Sequence, residues 1–166
     1  MKHIILVGFM GCGKSRVGRE LSKEMGCPFV DMDAVIVKEA GMPITDIFKQ
    51  QGEAHFRKLE TEMLQRLLRA KKQTVISSGG GMPIQEANQP CLKDETVIYL
   101  KASVETLVER LKGDKRRPIL QGGNLREKII TLKEQRDPIY EQVSNISVDT
   151  SDKTVDEVVA NIISKL

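Results

Sequence analysis

The chain has 166 residues, enough to bury one core around a sheet covered on both faces, and a single domain spanning 1–166 is expected. With 40% hydrophobic and 30% charged residues it reads as a globular protein, and no apolar run nears the roughly 20 residues that cross a bilayer, which argues against a membrane protein. A net charge of +3 and an aromatic content of 4% argue against a nucleic-acid partner. In chain order, an apolar strand is predicted at Ile4 to Val7, a helix from Lys14, a strand at Phe29 to Val30, and a helix from about Glu53 to Ala70. In that helix Phe56, Leu59, Met63, Leu64, Leu67 and Leu68 recur at spacings of three and four, so the stripe must face the core. Further strands follow at Thr74 to Ile76, Val97 to Leu100 and, more weakly, Val143 to Val148, with helices starting near Ser103, Asn124 and Asp152. Ser103 and Asp152 are the N-cap candidates. Strands that alternate with helices in this way predict an α/β fold with a parallel sheet.

Gly8-Phe9-Met10-Gly11-Cys12-Gly13-Lys14-Ser15 fits the G-x-x-x-x-G-K-[ST] phosphate loop, placed between the first strand and the first helix. Glycines there let backbone N–H groups turn around a polyphosphate while the helix points its positive end at the same anion. Lys14 would reach the outer phosphates and the Ser15 hydroxyl would ligate Mg²⁺. Met1-Lys2-His3 runs straight into the strand that carries the loop, so a cleavable signal would take the site with it, and a cytoplasmic protein is expected. Cys12, Cys27 and Cys91 are odd in number and not in C-x-x-C pairs, which suits free thiols. Cys12, in the loop at a helix N-terminus, is expected to be open to alkylation unless ATP protects it.

Ligands of an open parallel sheet gather beyond the carboxyl ends of its strands, so residues just after each predicted strand are candidates. Asp31-Met32-Asp33 follows the second strand, and alternation along an extended chain would put both carboxylates on one side. Asp31 would hold a metal-bound water and Asp33 would orient or deprotonate an attacking hydroxyl; alternatively, Asp33 caps the next helix. Gly79-Gly80-Gly81 follows the third strand, where a ligand could press against bare backbone, although a plain turn would also use glycine. Ser77 and Ser78 occupy the place where an acid would usually end this strand, and their hydroxyls can hold water but not charge. The basic, glycine-bounded stretch Lys112 to Asn124 reads either as a lid that swings over a triphosphate or as a solvated charge run. Arg57, with Glu60 one turn on, and Arg136 could each be an ordinary helical ion-pair residue.

Together, Gly11-Cys12-Gly13-Lys14-Ser15, Asp31-x-Asp33, Gly52-Glu53-x-x-Phe56-Arg57-x-x-Glu60, Gly79-Gly80-Gly81, Arg117-Pro118-Ile119-Leu120 and Arg136-x-Pro138-x-Tyr140 resemble the shikimate kinase family nearly end to end. The resemblance implies a P-loop fold of the nucleoside-monophosphate-kinase type with a five-stranded parallel sheet, a substrate-binding segment near residues 33–60 and a lid near 112–124. It also implies transfer of the ATP γ-phosphate to the 3-hydroxyl of shikimate, with ATP as co-substrate, Mg²⁺ at Ser15 and, through water, Asp31. On that pattern Asp33, Arg57, Gly79, Gly80 and Arg136 bind substrate, the two arginines taking its carboxylate. Gly11 to Arg16, Arg110 and Arg117 would bind nucleotide, and Asp33, Lys14 and Arg117 would be catalytic. Arg110 matches the residue that stacks on adenine, and the segment near Lys153 would border the base. Arg16 stands where Thr is more usual and could alter the hold on the α-phosphate. A monomer is expected. A gluconate kinase relative would share the loop and sheet but not Asp33 with Arg57 and Arg136. A non-enzymatic nucleotide switch would need a guanine-reading N-K-x-D motif, which the chain lacks.

Overall fold

The structure is a computed structural model, and it describes residues 2–114, 120 and 122–166. Strands β1 (Ile4–Val7), β2 (Phe29–Asp31), β3 (Val75–Ser77), β4 (Thr96–Lys101) and β5 (Ile146–Asp149) form one parallel sheet in the order β2-β3-β1-β4-β5. Between them lie α1 (Lys14–Met25), α2 (Met32–Ala40), α3 (Ile44–Gln51), α4 (Glu53–Leu68), α5 (Gln89–Leu92), α6 (Val104–Leu111) and α7 (Leu125–Val143), and α8 (Val155–Lys165) follows β5. Every residue of β1 is buried because the strand is central, and successive side chains enter opposite cores. Ile4 and Leu6 pack with Val17 and Leu21 of α1 and Val158 and Ile162 of α8. Ile5 and Val7 pack with Ile36, Ile47, Phe56 and Leu64 of α2, α3 and α4. Among the described residues no helix is long and apolar enough to cross a membrane.

This topology opens a crevice. The chain leaves β1 toward one face and leaves β3, its neighbour, toward the other, so the two connections diverge and leave a gap beyond the carboxyl ends of these strands. The phosphate loop and the glycine run both sit there.

Several predicted boundaries shift. The strand after Phe29 has only three residues and α2 starts at Met32, so Asp31 and Asp33 do not alternate along an extended chain. Asp31, not Asp33, is the cap: its Oδ1 accepts the Ala34 N–H at 3.2 Å, while Asp33 lies in the first turn. Helix α8 is capped by Thr154 rather than Asp152, with Glu157 completing a reciprocal capping box. Asp152 instead takes φ 58°, in the turn before the helix. Ser103 caps α6 and Asn124 caps α7. The last strand begins at Ile146 rather than Val143, which ends α7, and the helix predicted from Glu53 ends at Leu68. Arg136 lies inside α7, not near its end.

Candidate active site

A cavity of about 1150 Å³ occupies the crevice. A pocket for one drug-sized ligand is usually about 300–1,000 Å³, so this volume suits two small molecules side by side. At one end is the phosphate loop. Gly11 and Gly13 have φ 80° and 97°, left-handed backbone that glycine adopts without strain, and no side chain caps the α1 N-terminus. Its first-turn N–H groups therefore remain for an anion. Lys14 is buried and its Nζ donates to the Gly8 and Phe9 carbonyls at 2.8 and 3.0 Å. The Ser15 hydroxyl donates to Asp31 Oδ2 at 2.5 Å and lies 3.5 Å from the Ser77 hydroxyl. Three oxygens from β2, β3 and α1 thus meet at the carboxyl edge of the sheet.

Cys12 departs from expectation. Its side chain is 1% exposed and belongs to the core on the α1 face, so the thiol is out of reach of a reagent in the cavity. Its Sγ lies 3.7 Å from the buried Lys14 Nζ, and its carbonyl accepts from the Thr150 hydroxyl at 3.4 Å. Arg16, Arg110, Thr150 and Lys153 also border the cavity. Arg110 Nη1 donates to the Gly11 carbonyl at 3.1 Å, which ties α6 to the phosphate loop. Arg117 lies outside the described residues, as does most of the stretch between Asp114 and Gly122. Gly113, Gly122 and Gly123, which bound it, have φ 78°, 75° and 74°.

At the other end Asp33, Arg57, Glu60 and Arg136 converge on Gly79, Gly80 and Gly81. The glycines are needed for a reason the sequence does not show. None is in left-handed backbone, but a Cβ on Gly79 would stand 2.7 Å from Glu60 Oε2 and 2.9 Å from Asp33 Oδ1. A Cβ on Gly81 would collide with the Arg57 guanidinium, and one on Gly80 would come within 3.3 Å of Arg136 Nη1. The run is bare so that four charged side chains can close around it. Pro43, Ile44, Phe48 and Phe56 supply an apolar wall.

Arg57 and Glu60 are one turn apart on α4, and Nη1 meets Oε1 at 2.7 Å, while Glu53 takes Nε and Nη2 from the solvent side at 3.3 and 3.2 Å. Glu60 is 1% exposed, which the sequence reading missed because a Glu beside an Arg resembles a surface pair. Burial pushes its carboxyl up to about 7; Arg57 opposes that shift and the nearby Asp33 charge adds to it. Arg136 is 6% exposed, stacks at 6.0 Å from the Phe9 ring, and keeps Nη1 buried without a hydrogen-bond partner among the described residues. A buried guanidinium nitrogen without an acceptor is costly, and an anionic ligand would relieve it.

The family model for shikimate kinase matches residues 10–166. The chain belongs to the shikimate kinase family. It is 43% identical over 166 residues to the shikimate kinase of Thermodesulfovibrio yellowstonii, covering 99% of this chain and 95% of that protein. It is 42% identical over 167 residues to the shikimate kinase of Persephonella marina, covering 100% and 99%. The solved shikimate kinase of Acinetobacter baumannii, a complex with shikimate, superposes with a TM-score of 0.95 at 36% identity, over 99% of this chain and 92% of that one. As a shikimate kinase family member the chain is an ATP-dependent phosphotransferase, and its sheet is the P-loop fold of the nucleoside-monophosphate-kinase type. Membership also decides against a gluconate kinase relative and a non-enzymatic switch.

Proposed function

We propose that the chain phosphorylates the 3-hydroxyl of shikimate with the γ-phosphate of ATP, giving shikimate 3-phosphate and ADP. The observation that carries this reading is the pairing, in one cavity, of a phosphate loop with a cluster of two carboxyl groups, Asp33 and the buried Glu60, and two arginines around a glycine run. A carboxylate-bearing polyol matches that cluster. Arg136 offers an open, buried donor to the acid group, and Arg57 offers the edge it now shares with the exposed Glu53, an ion pair that is cheap to exchange. Gly79 and Gly80 allow the ring to lie against the backbone.

Phosphoryl transfer asks the protein mainly for alignment and charge. Asp33, brought to Gly79 by the first turn of α2, orients the acceptor hydroxyl toward the phosphate loop and accepts its proton. Gly11 to Arg16 cradle the phosphates through backbone N–H groups, and Lys14 exchanges its two loop carbonyls for phosphate oxygens. Arg110 and the Lys153 segment border the base. Arg117 reaches the transferring group from a lid at residues 112–124, a role that rests on the family pattern alone.

The oxygens of Ser15, Asp31 and Ser77 fit Mg²⁺, a hard cation that takes few protein ligands and completes its shell with water and phosphate. Ser15 would bind it directly and Asp31 through water; when bound, Mg²⁺ supplies positive charge against the outer phosphates. We read the chain as a single kinase domain, a cytoplasmic monomer with no nucleic-acid or membrane partner.

The test is ADP release from ATP and Mg²⁺ with shikimate, with gluconate, and with no acceptor. Shikimate-dependent release is expected. Turnover with gluconate alone, or at one slow rate whatever the acceptor, would defeat the assignment of Asp33, Arg57 and Arg136.

A further inference from the structure

We infer that Tyr140 is a positioning residue for the acceptor site: its buried hydroxyl holds the Gly80 carbonyl and thereby sets the glycine run against Arg136. The inference rests on the reading that Gly80 and Arg136 contact the acceptor. Arg136 and Tyr140 are four residues apart on α7, so they share a helix face, and both reach Gly80. Tyr140 is 0% exposed and its hydroxyl donates to the Gly80 carbonyl at 2.5 Å. Arg136 Nη1 lies 3.3 Å from where a Gly80 Cβ would stand. Burial pushes the Tyr140 phenol up against the opposing pull of the neighbouring Arg136 guanidinium, so the hydroxyl keeps its proton and stays a donor at neutral pH.

The glycine run needs such a restraint. Three consecutive residues without side chains have more intrinsic backbone freedom than any other residue types would have there. On either side of Gly80 the backbone is tied by β1 and by its own turn: Ser78 N–H donates to the Leu6 carbonyl of β1 at 3.1 Å and Met82 N–H to the Gly79 carbonyl at 3.2 Å. The tie at Gly80 itself comes from another element. The peptide is planar and trans, so holding the Gly80 carbonyl toward α7 turns the Gly81 N–H away from it. One hydroxyl thus fixes both the height of the run against Arg136 and the orientation of the next amide.

The second tyrosine provides a built-in comparison. Tyr99 packs on Tyr140 with ring centroids 5.3 Å apart and is 3% exposed, but its hydroxyl donates to Asp137 Oδ1 at 2.8 Å, and Lys133 Nζ meets the other oxygen at 2.5 Å. That bond anchors α7 to β4 and makes no contact with the glycine run.

Tyr140→Phe, Tyr99→Phe and Arg136→Lys, in the full chain, separate the possibilities through both Michaelis constants, kcat and Tm. Loss of one buried hydrogen bond that positions substrate should raise KM for shikimate about tenfold in Tyr140→Phe, with KM for ATP within about twofold. Tyr99→Phe should lower Tm comparably and leave KM for shikimate alone. If Tyr140→Phe lowers Tm only, or raises both Michaelis constants together, the inference is overturned. An unchanged KM for shikimate in Arg136→Lys would instead overturn the reading of the site; a raised one beside a flat Tyr140→Phe would sink this inference alone. A measurement without substitution at Tyr140 guards against misfolding. The chain has two tyrosines, so enzyme grown with 3-fluorotyrosine gives two fluorine lines, assigned by Tyr99→Phe. Shikimate should shift the Tyr140 line and a non-hydrolysable ATP analogue should not; a line unmoved by saturating shikimate overturns the inference.

Discussion

Replacing Glu60 by Gln tests the electrostatics behind the glycine run. The carboxyl is 1% exposed, and burial moves it from 4.5 to about 7 despite the attraction of Arg57. Between those two values the folded chain holds a proton that the unfolded chain has released. The contribution of this group to stability is therefore complete below pH 4.5 and lost as pH climbs through about 7. At about 1.4 kcal/mol per pH unit the swing is on the order of 3 kcal/mol. Gln has the shape of the neutral acid and cannot titrate, and Arg57 keeps its bonds to Glu53 at 3.3 and 3.2 Å in the variant. Urea unfolding of both proteins from about pH 5 to about pH 8 gives the measure, because the midpoint and slope return stability at each pH. The wild type should lose on the order of 3 kcal/mol relative to Glu60→Gln over that range. If wild type keeps level with Glu60→Gln within about 0.5 kcal/mol over that range, or gains on it as pH rises, the account of Glu60 as a desolvated carboxyl is refuted.

Three further outcomes are expected. Gly79→Ala should cut turnover at least tenfold and cost about 1–3 kcal/mol in stability, because the new methyl displaces the Asp33 and Glu60 oxygens together; wild-type kcat and Tm would show that the glycine is dispensable. Asp33→Asn should lower kcat by about 10²–10⁴ with ATP affinity unchanged, read by steady-state kinetics and nucleotide titration, and near-normal turnover would remove Asp33 from the chemistry. Iodoacetamide on the native protein should modify Cys27 and Cys91, which are half-buried, before Cys12, which is 1% exposed, as mapped by peptide mass spectrometry. Fast labelling of Cys12 that ATP prevents would contradict the burial described for it.

The parts of the fold with strong local signals were legible in the sequence. The apolar run Ile4 to Val7 and the loop after it marked a buried strand that leads into the phosphate loop, and the stripe on α4 named Phe56, Met63 and Leu64, all buried. Neither α2 nor α3 was given a place: α2 entered only as the helix that Asp33 would cap, and the cores of both are thin, with Met32 and Ile36 buried in one and Ile47 in the other. That omission put Asp33 on an imagined strand and gave it the cap that belongs to Asp31. The true cap of α8 was readable, since Thr154-Val155-Asp156-Glu157 carries the reciprocal Thr and Glu three residues apart. Glu60 was legible only in part: four residues from both Phe56 and Leu64, it lies in the middle of the apolar stripe of α4, but the groups that meet it there, Arg57 apart, come from α2 and the glycine run. The need for Gly79 and Gly81 likewise lies in side chains 19 or more residues away, beyond the reach of any local rule.

The bond between Ser15 and Asp31 has a direction. An ionised carboxylate only accepts, so the Ser15 proton is committed to Asp31 Oδ2, and Asp31 Oδ1 is already committed to the α2 amide of Ala34. Whatever else the Ser15 oxygen meets must approach its lone pairs, and if Ser77, 3.5 Å away, joins the line it does so as the donor. Asn at position 31 would present an amide N–H₂ to Ser15 or to Ala34 and reverse the polarity at one of them, while Glu would move both oxygens by a methylene. This is a wire with one permitted current, and the two-oxygen group of the right length at its end makes position 31 one where no replacement counts as conservative.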